Sequence, residues 1–441
     1  MKRLLLIPIV LFAKLLVVLL KTSGRGSGTA LPGLLVDRYF PFAFRALIQQ
    51  IPSVVVITGT NGKTTTQTML SDILRQVPGI KLLNNRAGAN LKQGILSQLL
   101  KQASPLGRLD FTHAVLEVEE ATLPRIAKLL RPDAIAITNL YRDQLDAYGE
   151  VDVTEKLIRN GIAQCPRASV VVNGDDPRTS RLSQGLFNPT YFTSLDRAYS
   201  QAMPYEGQLQ NTSHLVHNIL RAAQLQVNPD LTTDVNVQGD VRGEKVQLQV
   251  KVASPGLFHI YNALTAITLA KLLNIDSATI VRGFDQFQPA FGRGEILTRE
   301  HHGKRVHYQI LLVKNPASFT LTLDLLKNIR PLRLMLAIND NIADSRDVSW
   351  LWDSRLEILS QATLDWILCT GIRAKDMKLR LKYALEDGIG QYQPAHIHTE
   401  ESIGQAINQA FELASPDETV YVMPTYTAML EFRKLMGKTL Q

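Results

Sequence analysis

The sequence predicts an α/β protein. A parallel sheet covered by helices, with a small antiparallel β segment, is followed by a smaller Rossmann-like α/β domain. Three observations predict this. Short apolar runs alternate with stretches of helical periodicity, the pattern of strand–helix–strand units. A glycine-rich turn lies between one such run and the helix after it. Thr233–Val252 departs from the pattern: Val235, Val237, Val241, Val246, Leu248 and Val250 come close to period two, broken by Gly239 and Gly243.

Composition bounds the class. The chain has 441 residues, 45% hydrophobic and 20% charged, ample for a sizeable core. At ~150 residues per domain that suggests two large domains or three smaller ones. The charge is 48 − 40 = +8, which suits anionic partners without choosing among them. Lys and Arg are scattered rather than clustered with aromatics, so nucleic acid is not the expected partner. Two cysteines, Cys165 and Cys369, make neither a disulfide scaffold nor a four-cysteine zinc site. Both read as buried small residues.

In chain order, Met1–Leu20 begins with Lys2-Arg3 and is then apolar except for Lys14. As a helix, Leu4–Leu20 spans ~25 Å, slightly short of the ~30 Å hydrocarbon layer. A signal peptide, a membrane-surface helix with Lys14 snorkelling, and a helix packed on its own domain all fit. Gly24–Gly33 is a glycine-rich connector. Val54–Thr58 reads as a buried strand, and Gly62–Gln76 as a helix with Met69, Leu70, Ile73 and Leu74 on one face. Ala114–Val118, Ala134–Thr138 and Ser169–Val172 are further strands, and Ile260–Leu273 is a helix. A second alternation follows: strand 306–312, helix 318–329, strands 332–338 and 364–370, helices 374–386 and 401–413, strand 419–423, helix 426–436. The expected division is 1–45 (apolar helix and connector), 46–297 and 298–441.

The sharpest motif is Thr58-Gly59-Thr60-Asn61-Gly62-Lys63-Thr64-Thr65, between a strand and a helix. Glycines let backbone N–H groups wrap an anion, and the helix N-terminus adds a favourable dipole. Lys63 can reach β/γ-phosphates and the Thr64 hydroxyl can ligate Mg²⁺. The spacing GxxGKT is two residues shorter than the usual GxxxxGK[ST]. Glu117, at the end of a strand, suits the Mg²⁺ of a nucleotide, or is a solvated strand-end carboxylate. Asp143 and Asp146 serve metal or substrate, or cap a helix. A nucleotide site of this kind needs ATP and places the chain in the cytoplasm.

TGTNGKTT, LEVEEATLPR, TNLYRDQLDAYGE and VNGDDP together resemble the central ATPase domain of the Mur ligase superfamily. GRGSGTALPG, LVKNPAS, NDNIADSRDVSWLWD, GIRAKDMKLRLKYA and MPTYTAMLEFR narrow the likeness to the MurT group. The resemblance implies ATP-dependent phosphorylation of the D-glutamate α-carboxylate of lipid II. Ammonia from a GatD-like glutaminase partner then gives D-isoglutamine, a step of peptidoglycan biosynthesis. It implies phosphate-loop roles for Gly59, Thr60, Asn61, Gly62, Lys63, Thr64 and Thr65, and Mg²⁺ ligation by Thr64 and Glu117. Asn262 matches an Asn near the adenine, although His259 stands where a further Asn is usual. Lys156 lies where several Mur ligases carry a carbamylated lysine, a modification not expected here. Asp344 or Asp347, with Asp347 favoured, is the acid that completes the partner's Cys–His pair, or else belongs to a loop of local turns. Trp350 and Trp352 are interface anchors or core.

Departures from the group also bear on the reading. Thr193–Asp230 lacks cysteine where the group often carries a zinc ribbon, so zinc is not expected. Only about fifty residues precede the phosphate loop, so a UDP-sugar held by an N-terminal domain is not expected. A lipid-linked substrate, with residues 1–20 touching the inner face of the membrane, is consistent with this. The rivals are a direct amino-acid ligase of Mur or folylpolyglutamate type, for which Gln144 replaces an expected His, and a non-catalytic ATP-binding subunit.

Overall fold

The structure is a computed structural model that describes residues 2–22, 30–85, 89–141, 151–200, 217–228, 231–289, 292–344, 346–386 and 396–437. Its first sheet contains β1 (Ser53–Thr58), β2 (Leu82–Asn84), β3 (His113–Glu117), β4 (Ala134–Ile137), β5 (Ser169–Asn173), β6 (Thr190–Leu195), β7 (Ile219–Val227), β8 (Thr233–Val241) and β9 (Glu244–Val252). The spatial order is β2-β3-β1-β4-β5-β6-β7-β8-β9. Pairing is parallel from β2 to β7, and β7-β8-β9 is an antiparallel meander.

Both faces of the parallel part are covered, which is why β1 and β4 read as unbroken apolar runs. Alternate residues of β1 face opposite ways. Val54 and Val56 join a core with Phe44, Leu47, Leu99 and Ile126. Val55 and Ile57 join another with Met69, Leu70, Ile73, Leu264 and Ile267. The helix Leu257–Leu272 is buried along nearly its whole length, so it is apolar on all sides rather than amphipathic.

Helices α1 (Lys2–Thr22), α2 (Leu31–Tyr39), α3 (Phe42–Ile48), α4 (Lys63–Arg75), α5 (Lys92–Gln102) and α6 (Leu123–Leu130) belong to this first unit. Of the three readings of the N-terminus, the packed helix describes one face of α1. Leu6, Ile9, Val10 and Ala13 are buried in the core with Phe44 and Leu99. Lys14 does not snorkel: its Nζ donates to the carbonyl of Lys101 at 3.0 Å, near the C-terminus of α5. Among the described residues, no helix is long and apolar enough to cross a membrane.

The second sheet has β10 (Arg293–His301), β11 (Lys304–Leu311), β12 (Leu332–Ala337), β13 (Leu364–Thr370), β14 (Ile397–Glu400) and β15 (Glu418–Pro424). Their order is β10-β11-β15-β12-β13-β14, parallel except for the β10–β11 hairpin. The α/β reading therefore holds for both units. Residue 297 lies inside β10, and residue 45 lies inside α3. The sequence reading lacked β2, β6, β7, β10 and β14. The two edge strands β10 and β14 carry the polar composition of edges, RGEILTREH and IHTE, which hides them from an apolar-run search.

Candidate active site

The phosphate loop begins where β1 ends and turns into α4. Gly59 has φ of +121° and Gly62 +88°, both in the region that favours glycine. A Cβ on Gly59 would meet Thr138 Oγ1 at 2.4 Å, and one on Gly62 would meet Asn262 Oδ1 at 2.3 Å. Thr60 N–H donates to the Asn139 carbonyl at 3.0 Å. The Asn139 side chain takes the Asn61 N–H at 2.9 Å and returns a bond to the Asn61 carbonyl at 3.0 Å. Thr60 Oγ1 accepts from Tyr141 N–H at 3.1 Å. The loop is thus held from outside by the segment after β4.

Lys63 is buried. Its ammonium donates to the carbonyls of Gly59 and Thr60 and pairs with Glu120 at 3.2 Å. Burial pushes the Glu120 carboxyl up to about 7, against the pull of Lys63, with Glu119 adding to the rise. The Thr64 hydroxyl donates to Glu117 Oε2 at 2.8 Å. Glu117 is itself fixed, since its backbone N–H donates to Asn85 Oδ1 at 2.8 Å. Thr65 is fully buried at the start of α4. Two oxygen donors side by side fit a Mg²⁺ ion, which keeps several waters and takes its remaining ligands from phosphate. Among the described residues, no group of three or more His, Cys, Asp or Glu side chains could hold a metal by itself.

The second unit completes the site. Lys314, just beyond β11, donates from Nζ to the Thr60 carbonyl at 3.0 Å. Asn315 exchanges side-chain contacts with Asn61 at 3.3 and 3.5 Å and caps the helix Pro316–Leu326. Two helix N-termini, two ammonium groups and a glycine turn therefore converge, an arrangement that binds a polyanion. Beside them runs an apolar cleft lined by Pro255, Phe258, Leu311, Leu312, Leu321 and Leu325, with His259 at its polar end. Asn262 abuts Gly62, which itself lines the cleft, with His259 Nδ1 3.4 Å from the Asn262 amide.

Lys63, Thr64, Glu117 and Asn262 were singled out in the sequence and come together. Glu120, Asn139 and Lys314 were missed. The VLEVEE and LVKNPAS stretches held the signal for the first and last, as charged residues beside otherwise apolar strand ends.

Asp344 and Asp347 lie apart from the loop, beyond β12. Asp344 is buried; its carboxylate accepts from Thr427 N–H at 2.7 Å and from the Thr427 hydroxyl, holding the start of the helix Tyr426–Leu435. Asp347 is half-buried, and its Oδ1 accepts from Ser349 N–H at 2.8 Å. Trp350 packs edge-on against Phe319, whereas Trp352 is 54% exposed. Lys156 is exposed on the helix Val151–Ala163. Asp143, Gln144 and Asp146 lie outside the described residues.

Comparison with known proteins decides the family. Residues 57–270 match the Mur ligase middle domain, and residues 312–429 match the MurT ligase C-terminal domain. The chain is 32% identical over 440 residues, 94% of each protein, to a lipid II isoglutaminyl synthase (glutamine-hydrolyzing) subunit MurT from Streptococcus pneumoniae. The chain belongs to the MurT family. It is accordingly a ligase of the Mur superfamily, from a family of peptidoglycan biosynthesis. MurF from Acinetobacter baumannii shares the fold, with a TM-score of 0.66 at 18% identity, covering 90% of this chain and 79% of that one. MurF ligase from Thermotoga maritima in complex with ADP does so with a TM-score of 0.65 at 14% identity, covering 91% and 84%. The MurT-family C-terminal unit is the one that carries Lys314, Asp344 and Asp347.

Proposed function

We propose that this MurT-family chain is the ligase subunit that amidates the D-glutamate α-carboxylate of lipid II. It uses ATP, and its ammonia comes from a separate GatD-like glutaminase. The observation that carries this is the meeting of Lys63, Thr64 and Glu117 with Lys314 around one glycine turn, in a chain without a glutaminase nucleophile. Cys369 is fully buried and its thiol is pushed up to about 12; burial raises Cys165 to about 11. Neither is available as a thiolate.

A carboxylate resists attack by an amine. Transfer of the γ-phosphoryl group to one of its oxygens, with ADP leaving, turns that oxygen into a good leaving group. Lys63 and Lys314 spread the charge that develops on the transferring group. Thr64 and Glu117 would hold Mg²⁺, which when bound neutralises charge on the β- and γ-oxygens. Adenine fits the cleft between Phe258 and Leu321, with Asn262 at its phosphate end. Ammonia then adds to the acyl carbon, phosphate leaves with the C–O bond pair, and the added nitrogen loses a proton to give the amide. Ammonia is mostly protonated at neutral pH, so delivery from an attached glutaminase supplies it in reactive form.

The second unit supplies the remaining part. Asp347, at the surface of the loop beyond β12, is the acid offered to the partner's Cys–His pair, where it would orient the imidazole. Asp344 serves the loop from inside. We assign the chain to the cytoplasm, where ATP and the acceptor's peptide are available.

Co-purification with a candidate glutaminase, followed by mass spectrometry of lipid II after incubation with ATP and glutamine, tests the reading. A product one mass unit lighter than lipid II is expected, and Lys63→Ala should abolish it. Turnover with a free amino acid and no glutaminase would instead support the direct-ligase alternative.

A further inference from the structure

The N-terminal helix α1 has two apolar faces, and only one is explained by the fold. Leu6, Ile9, Val10 and Ala13 pack inward and are at most 4% exposed. At ~100° per residue, Leu5, Pro8, Leu11, Phe12, Leu15, Val18 and Leu19 form the opposite stripe. The six large ones are 48–59% exposed. A helix on a protein surface ordinarily turns charged and polar residues outward. Here, from Leu5 to Leu19, no polar residue lies on the outward stripe. Neighbouring α2 adds Leu31 at 39% and Leu34 at 48% exposure. Such a contiguous apolar face marks a binding surface.

Charge selects the occupant. Residues 1–36 contain five Lys or Arg and no Asp or Glu. The first carboxylate, Asp37, is already paired with Lys92 at 2.7 Å. Arg38 follows it, exposed, with its guanidinium 5.9 Å from the centre of the exposed Tyr39 ring. An apolar stripe within a segment whose sequence carries only positive charge matches the interfacial zone of an anionic bilayer: acyl chains for the leucines, long-range attraction to the headgroups for the net charge. A protein partner would need only the apolar half of this pattern.

We propose that the outer face of α1, extended by α2, docks this protein on an anionic lipid surface, with α1 lying in the interface plane rather than crossing it. The docked face is tied to the active site. Asp37 at the end of α2 pairs with Lys92; two residues before Lys92, the Asn90 side chain donates to Glu119 at 2.6 Å, next to Glu120. Docking would therefore set the nucleotide site beside the membrane that holds a lipid-linked acceptor.

The test is flotation of the full-length protein, without nucleotide, on two sets of vesicles. One set is phosphatidylcholine; the other contains about a third phosphatidylglycerol. We expect flotation with the anionic vesicles, weakened by salt. Leu15→Glu should cut it by roughly tenfold or more. The double variant Phe12→Ser/Leu15→Ser should do the same without adding charge. Both substitutions lie on the exposed side, and an unchanged thermal midpoint and ATP affinity show that each variant is folded. Failure of the wild-type protein to float, equal flotation on neutral vesicles, or undiminished flotation of both variants would overturn the proposal. So would a concentration-dependent dimer, dissolved by Leu15→Glu, in a protein that does not float. ATP binding is measured separately, so failure here leaves the ligase reading standing, and the reverse also holds.

Discussion

The carboxyl ends of the two sheets carry two functional regions built in opposite ways. At the first, the phosphate loop is enclosed: Asn139 clamps Asn61, Lys63 rests on Glu120, Thr64 on Glu117, and Lys314 covers the turn. Its polar groups find partners within the chain. At the second, the loop beyond β12 is half turned outward. Asp344 is consumed by Thr427, while Asp347 is half-buried, and the same unit exposes Ile342 at 84%, Ile372 at 57%, Trp352 at 54% and Tyr383 at 53%. The comparison teaches that the first region is prepared for a small polyanion. The second exposes aromatic and aliphatic side chains, which is the composition the proposed glutaminase contact calls for. Both edges are joined, because β11, β15 and β12 run parallel as neighbours and so bring the Lys314 and Asp347 loops to the same side of one sheet.

Separating the two regions by mutation gives the largest expected effect. Asp347→Asn should lower glutamine-driven amidation by about 10²–10⁴-fold while amidation driven by ammonium chloride stays within about twofold. Equal loss in both assays would show that Asp347 does not serve a partner. Asp344→Asn is the internal counterpart. It should cost about 1–3 kcal/mol of stability, read as a lower denaturant midpoint, because a buried bond to Thr427 is weakened.

The link between the regions comes next in size. Lys314→Met removes the second unit's cation from the phosphate loop. The kcat should fall by roughly 10- to 100-fold, because the charge developing on the transferring group loses one of its two cations. A rise in KM for ATP with kcat unchanged would mean that Lys314 acts in ground-state binding alone.

The smallest effect is a pH dependence confined to the first region. Glu120 has a carboxyl raised from 4.5 to about 7 by burial, so the folded state holds its proton more tightly than the unfolded chain does. Its contribution to stability is complete below 4.5 and is lost as pH rises through about 7. Thermal midpoints of the unliganded protein should therefore carry a downward slope over that window. Glu120→Gln should flatten it. A slope unchanged by the substitution would assign it to another group, Asp176 being the next candidate, raised by burial to about 6.

Legibility followed the range of the interactions. The turn between β1 and α4 was readable because strand, glycines, Lys63 and Thr64 are consecutive. Glu117 could be found because a carboxylate stands out at the end of an apolar run. Asn139 and Lys314 could not, since their roles depend on contacts 78 and 254 residues away. Asp344 and Asp347 looked alike in the sequence; the position of Thr427, 83 residues from Asp344, separates them. In α1, periodicity alone did not distinguish a buried stripe from an exposed one, because both are apolar.

By itself the sequence determined the alternation of strands and helices, the anion-binding turn and the absence of a reactive thiol motif. Each of these is fixed by local backbone preference or by residue chemistry. Only the tertiary structure decided which cation reaches the loop from the second unit, which aspartate is turned inward, and which face of the first helix is left uncovered. Those outcomes depend on how distant segments compete for the same burial and the same hydrogen-bond partners, and no local stretch of chain contains that competition.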